Sequence, residues 1–181
     1  MRLSTMVLAA LFSLPVICCA ANNERLHTVV QADQADRQST PTLAQWKDIS
    51  KRDAERRKQV HAELVAARIL TSADFYNAAL VMQHGDSLED IRLAHSFATI
   101  ASALDPLDRS ARWLKAASWD RMLERKKKPQ WYGTQYVQDS TGKVVLYTVD
   151  ETAVTDADRI EMAVPTLTEA RKKAGSFNPP K

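Results

Sequence analysis

Along most of the chain, apolar residues recur at helical spacing, and the breaks between periodic stretches are marked by Pro, Gly or short polar runs. Leu26, Val29 and Val30 predict a short helix within residues 22–36, broken by Gln38-Ser39-Thr40-Pro41. From Leu43 to about Arg68 the chain is free of Gly and Pro, which predicts a long second helix. Thr71-Ser72-Ala73-Asp74 has the form of a capping box and opens a third helix. That helix is apolar nearly all round and is expected to be the most buried, ending in a left-handed cap at Gly85. Ser87-Leu88-Glu89-Asp90 opens a fourth toward Leu104. Asp105-Pro106 is expected to cap and start a fifth, running to about Lys127 before Pro129 stops it.

Beyond Pro129 the pattern changes. Tyr136-Val137-Gln138 and Val144–Val149 flank Asp139-Ser140-Thr141-Gly142-Lys143 and predict a β-hairpin. Thr155-Asp156-Ala157-Asp158 opens a short helix, Pro165-Thr166-Leu167 leads into a last one over 168–174, and Asn178-Pro179-Pro180 reads as a frayed tail. The expected fold is therefore mainly α. It is an antiparallel helical array over 42–174 with one small hairpin at about 136–149, an N-terminal segment 22–41 and a flexible tail 175–181. Ala94, Ala98, Ala101 and Pro106 fall at tetratricopeptide-like spacing, but no second copy of the period follows. The pattern supports helix-on-helix packing of that pair.

The N-terminus is read apart from this array. Met1-Arg2 precedes an apolar run, Met6 to Ala21, too short for a membrane span and ending in small residues. It reads as a secretory signal peptide cleaved near Ala20 or Ala21, so a periplasmic or secreted chain is expected. Acylation of Cys18 or Cys19 as a lipoprotein is the alternative, disfavoured because neither cysteine follows a small residue. With both cysteines in or beside the leader, the mature chain would have no disulfide, cysteine nucleophile or thiolate metal site. The formal charge of +3 falls by one with Arg2, and basic residues are dispersed apart from Arg125-Lys126-Lys127-Lys128 at a helix end. Nothing interleaves aromatic and basic residues, so no nucleic-acid partner is expected. His27 and His61 lack partners at metal-ligand spacing, so neither a metal nor a cofactor is expected.

Candidate chemistry comes from polar residues on apolar faces. At about 100° per residue, Asp53 and Arg57 fall within about 20° of the Trp46–Leu64 line of the second helix. Four residues apart, they are spaced for an ion pair that either edges the core or lines a pocket. On the fifth helix Leu107, Ala111, Leu114, Ser118 and Met122 form a stripe that includes Arg121, and Asp120 lies on the neighbouring face beside Trp113. The Asp120-Arg121 pair could bind a polar ligand, cap another helix or hold the hairpin. His95, on an apolar face of the fourth helix, reads as a satisfied core residue. Gln83 and His84 end the most buried helix, where the helix dipole favours His84 and a site is the alternative. Gln130, Trp131, Tyr132, Gly133, Thr134 and Gln135 combine flat apolar walls with hydrogen-bonding tips, suited either to a ligand or to packing the hairpin.

Taken together, Asp33-Gln34-Ala35-Asp36-Arg37, Arg52-Asp53, Arg56-Arg57, Asp74 to Ala79, Gln83-His84-Gly85, Asp120-Arg121 and Pro129 to Gln135 resemble a bacterial family of unknown function. Its members carry "AA…QHG", "A..DR" and "PQ.YGTQ" patterns, and the likeness covers about Asp33 to Ala170. It implies a mostly helical domain and brings no catalytic assignment. The candidate pocket is Asp53, Arg57, Gln83, His84, Asp120, Arg121, Gln130, Tyr132, Thr134 and Gln135. The first reading is an envelope binding or interaction module for an unknown protein or small polar ligand. The second is a hydrolase or transferase, with His84 as general acid or base, Asp53 or Asp120 orienting it and Arg57 or Arg121 holding an anion. In the third, the charges form a structural network. Whether the chain is an enzyme stays open, and its oligomeric state is not readable.

Overall fold

The computed structural model describes residues 20–38 and 42–177. The apolar leader with Cys18 and Cys19, the expected break at Pro41 and the Asn178-Pro179-Pro180 tail lie outside the described residues. Seven helices and one antiparallel hairpin make up the regular structure of the described part. The helices are α1 (Glu24–Ala35), α2 (Leu43–Val65), α3 (Ser72–Met82), α4 (Leu88–Leu104), α5 (Arg109–Arg125), α6 (Asp156–Glu161) and α7 (Leu167–Ser176). The strands β1 (Tyr136–Gln138) and β2 (Val144–Leu146) pair with Val137 opposite Val145. Among the described residues, no helix is long and apolar enough to cross a membrane.

α3 is the hub. It packs against α1, α2, α4 and α5, and its Ala78, Ala79, Val81 and Met82 are almost completely buried. Two consecutive alanines at its centre let the neighbouring helices approach closely, and Leu26, Val60, Phe97, Ala98 and Leu114 close the core around it. The hairpin and α7 form a satellite: α7 packs on β2, and the Tyr136 hydroxyl donates to the Ala170 carbonyl at 3.2 Å.

Most helix starts obey local chemistry. Thr42, Thr71, Thr155 and Thr166 each accept from the backbone N–H three residues on, and the residue there returns the bond. Several expected boundaries shift. α5 starts at Arg109 under Asp108, whose carboxylate accepts from Ser110 N, while Asp105 instead accepts from Leu107 N within the turn. Pro106 therefore lies before the helix, and Leu107 leaves the predicted stripe to stand 87% exposed. β2 stops at Leu146 because the chain turns to form a parallel bridge between Val149 and Gln130.

Gly85 is also not a left-handed cap, since its φ is not positive. The glycine is required for space: a Cβ there would overlap the side chain of Asp90, in the first turn of α4. Left-handed helix ends occur instead at Ala67, Lys127 and Ala163, with φ of 53°, 55° and 56°. Each closes a paired 6→1 and 5→2 motif; for α2 these bonds are Arg68 N to Glu63 O and Ala67 N to Leu64 O, both 3.0 Å.

Candidate functional site

The buried line of α2 among its described side chains is Ile49, Asp53, Arg56, Val60 and Glu63, at alternating spacings of four and three. Three of these five are charged, so the helix seats ions where a coiled-coil-like seam would seat apolar residues. The expected Asp53–Arg57 pair does not form. Asp53 faces the end of α1, where Arg37, just past the helix, reaches Oδ2 at 2.6 Å, and Arg56 of α2 reaches Oδ1 at 2.9 Å, using both oxygens. Arg57 points toward α4, 3.4 Å from Asp90 and 3.4 Å from the His84 carbonyl. Trp46 and Leu64, at the ends of the expected stripe, are 45% and 39% exposed. The inward face is thus rotated toward Arg56, because α1 covers that side.

On α1, Leu26, Val30 and Asp33 repeat the same spacing, and Asp33 is fully buried. Its carboxylate accepts from Gln34 Nε2 at 2.8 Å and Arg37 at 3.1 Å, and it lies 3.1 Å from His84 Nδ1. A carboxylate accepts, so Nδ1 carries the proton and His84 Nε2 is left without a partner among the described residues. The orienting group of His84 is therefore Asp33, neither Asp53 nor Asp120. A signal was present in the sequence, since Asp33 continues the Leu26–Val30 stripe.

His84 faces a cleft of about 250 Å³ between α1, α2, the end of α3 and α5. Arg37, Arg121 and Arg125 line it together with His84, Asp53 and Asp86, and Arg37 is paired with Asp53. Ser50 and Trp46 form the remaining wall. Arg121 Nη1 donates to the Gln83 carbonyl at 2.7 Å and Nε to Gln135 Oε1 at 3.2 Å. Both partners are neutral, and no carboxylate of a described residue pairs with this guanidinium. Burial first, then neighbouring Arg125, lowers its pKa from the ordinary arginine value, against the opposing pull of Glu124. An arginine shifted this way stays cationic at neutral pH.

The loop after α5 is held rather than free. Asp120, fully buried, accepts from Trp131 N at 2.8 Å, Tyr132 N at 3.0 Å, and Thr134 N and Oγ1 at 3.0 and 2.8 Å. Buried Gln130 donates to the Gln135 and Tyr147 carbonyls and accepts from Gln135 N, tying the loop to the hairpin. Gly133 takes φ of +86°, which this wrap demands and a side chain would strain. Behind the loop, Arg159 of α6 donates to the Trp131 and Tyr132 carbonyls, a role nothing in the local sequence signalled.

Of the ten candidates, the fold brings Asp53, His84 and Arg121 into one cleft, with Gln83 and Gln135 bonded to Arg121. Arg57 stands behind His84. Asp120, Gln130 and Thr134 build the loop, while Tyr132 turns away to a second recess beside Trp131, Trp119, Lys115 and His95. Among the described residues, no group of three or more His, Cys, Asp or Glu is placed to hold a metal ion. No protein-family model, curated protein or solved structure matches the chain.

Proposed function

We propose that the chain is an exported binding module of the cell envelope whose charged cleft takes the anionic group of a small polar ligand. Arg121 carries this reading: a largely buried cation whose protein partners are both neutral. A buried charge without a counter-ion is costly, and an incoming carboxylate or phosphate would supply it through paired N–H donors. Arg125 adds a charge of the same sign, while Arg37 is already paired with Asp33 and Asp53, and His84 Nε2 adds a polar contact at the same wall. Export rests on the leader-like first 21 residues.

Thermal shift with inorganic phosphate, succinate and N-acetylmuramic acid tests the cleft, with glycerol as neutral control. At about 100-fold over its dissociation constant, a bound anion adds about 2.7 kcal/mol and raises the melting temperature by roughly 5–10 °C. The shift should vanish in Arg121→Gln and shrink in Arg125→Ala. If none of the three anions stabilises the wild type, the reading fails.

A second reading, an envelope hydrolase or transferase, is favoured by the buried Asp33 behind His84, the arrangement of an oriented general base. It predicts that His84→Gln binds the anion as wild type does but loses turnover of an esterified or amidated derivative. Equal turnover in both proteins would remove it.

A further inference from the structure

On the other side of α5 lies a recess of about 210 Å³, lined by His95, Lys115, Trp119, Trp131 and Tyr132. Its lining has no residue in common with the charged cleft, to which the 130–135 loop is linked only through the Gln135 bond to Arg121. Three rings form a continuous aromatic wall: His95 and Trp119 are 5.4 Å apart at 48°, and Trp119 and Trp131 are 4.9 Å apart at 58°. Lys115 and Trp119 lie four residues apart on α5 and present to the same side.

The polar atoms of this wall are set in defined states. His95 Nδ1 lies 3.1 Å from the Lys115 carbonyl and 3.2 Å from Ser118 Oγ. A carbonyl only accepts, so Nδ1 bears the proton. Burial lowers the His95 pKa, which keeps the ring neutral at physiological pH and makes Nε2 an acceptor. Burial likewise raises the Tyr132 phenol, which therefore stays protonated and able to donate. Neither His95 Nε2, the Tyr132 hydroxyl nor the Lys115 ammonium has a protein partner among the described residues. The Trp119 indole N–H is buried with no acceptor among the described residues and is closed to solvent, so an occupant would meet this indole by its ring.

We infer that this recess binds one pyranose ring, packed by its C–H face against Trp131 with the inclined Trp119 along its edge, and held at its hydroxyl rim by His95 Nε2, Tyr132 and Lys115. A purely apolar or aromatic occupant would satisfy the indole faces and strand the three polar tips. A purely ionic one would meet only Lys115. A sugar ring has both an apolar face and a rim of paired donors and acceptors, and the volume is below the roughly 300–1,000 Å³ of clefts for larger ligands.

The test is titration of the full chain with di-N-acetylchitobiose and cellobiose, followed by tryptophan fluorescence, with p-cresol as aromatic control. A saturable spectral change with at least one disaccharide is expected. Trp131→Ala and Lys115→Ala should each weaken it about fivefold, which corresponds to about 1 kcal/mol. Arg125→Ala, at the charged cleft, should leave it unchanged. Nitrogen NMR should show His95 protonated at Nδ1 with a lone pair on Nε2 that shifts on saturation. Absence of saturation with both disaccharides, tighter binding of p-cresol, or wild-type affinity in both weakened variants would overturn the assignment.

Discussion

Asp120 is where a single residue decides most. Its two oxygens satisfy three backbone N–H groups and one hydroxyl, so the carboxylate acts as a template on which residues 131–134 wrap. Asp120→Ala should cost about 3–5 kcal/mol, because four donors lose their acceptor at a buried position. Urea unfolding at constant slope checks this. Asp120→Asn should cost less, since one oxygen can still serve Trp131 and Tyr132. Gly85 illustrates the opposite kind of residue, conserving space rather than a bond. Gly85→Ala should destabilise by about 1–3 kcal/mol through overlap with Asp90, and disturb the Arg57 contact made by that carboxylate.

At the level of elements, starts and stops follow different rules here. Four threonine capping boxes start helices with side-chain chemistry, whereas α2, α5 and α6 stop on left-handed residues that are not glycine. A side chain in that region carries a steric cost that glycine escapes. Ala67→Gly, Lys127→Gly and Ala163→Gly should therefore each stabilise by about 0.5–1 kcal/mol and raise the melting temperature by roughly 1–4 °C. Caps can be tested in the same assay. Asp108→Ala should cost about 1 kcal/mol as the true cap of α5, and Asp105→Ala distinctly less.

For the molecule as a whole, ionic contacts join α1 and α2 where apolar ones are sparse. Arg52, then Arg56, holds Asp36 at a pKa of about 2, and Arg68, then Asn23, holds Glu63 at about 2. Both pKa values are depressed by folding, so their stabilisation is fully present above the usual carboxylate range and is lost as pH falls toward 2. The melting temperature should fall between about pH 4.5 and 2, and the double variant Arg52→Ala, Arg68→Ala should flatten that fall. An unchanged slope would show that neither the Asp36 pair, which ties α1 to α2, nor the Glu63–Arg68 pair at the end of α2 carries the pH dependence. The sequence by itself determined the number and order of the helices, the hairpin and the burial of the 75–82 stretch, because spacing, caps and breakers act within a few residues. It also marked His84, Asp120 and Arg121 as polar groups where apolar ones belong. Only the tertiary structure decided their partners. Asp53 turned from Arg57 to Arg37 and Arg56, His84 found Asp33, and Asp120 became a loop anchor, because a helical wheel places a side chain on a face but cannot say which helix covers it. The opposite destinations of Gln135, bonded to Arg121, and Tyr132, in the recess beside Trp131, were equally unreadable, since they follow from how Asp120 wraps the loop around α5.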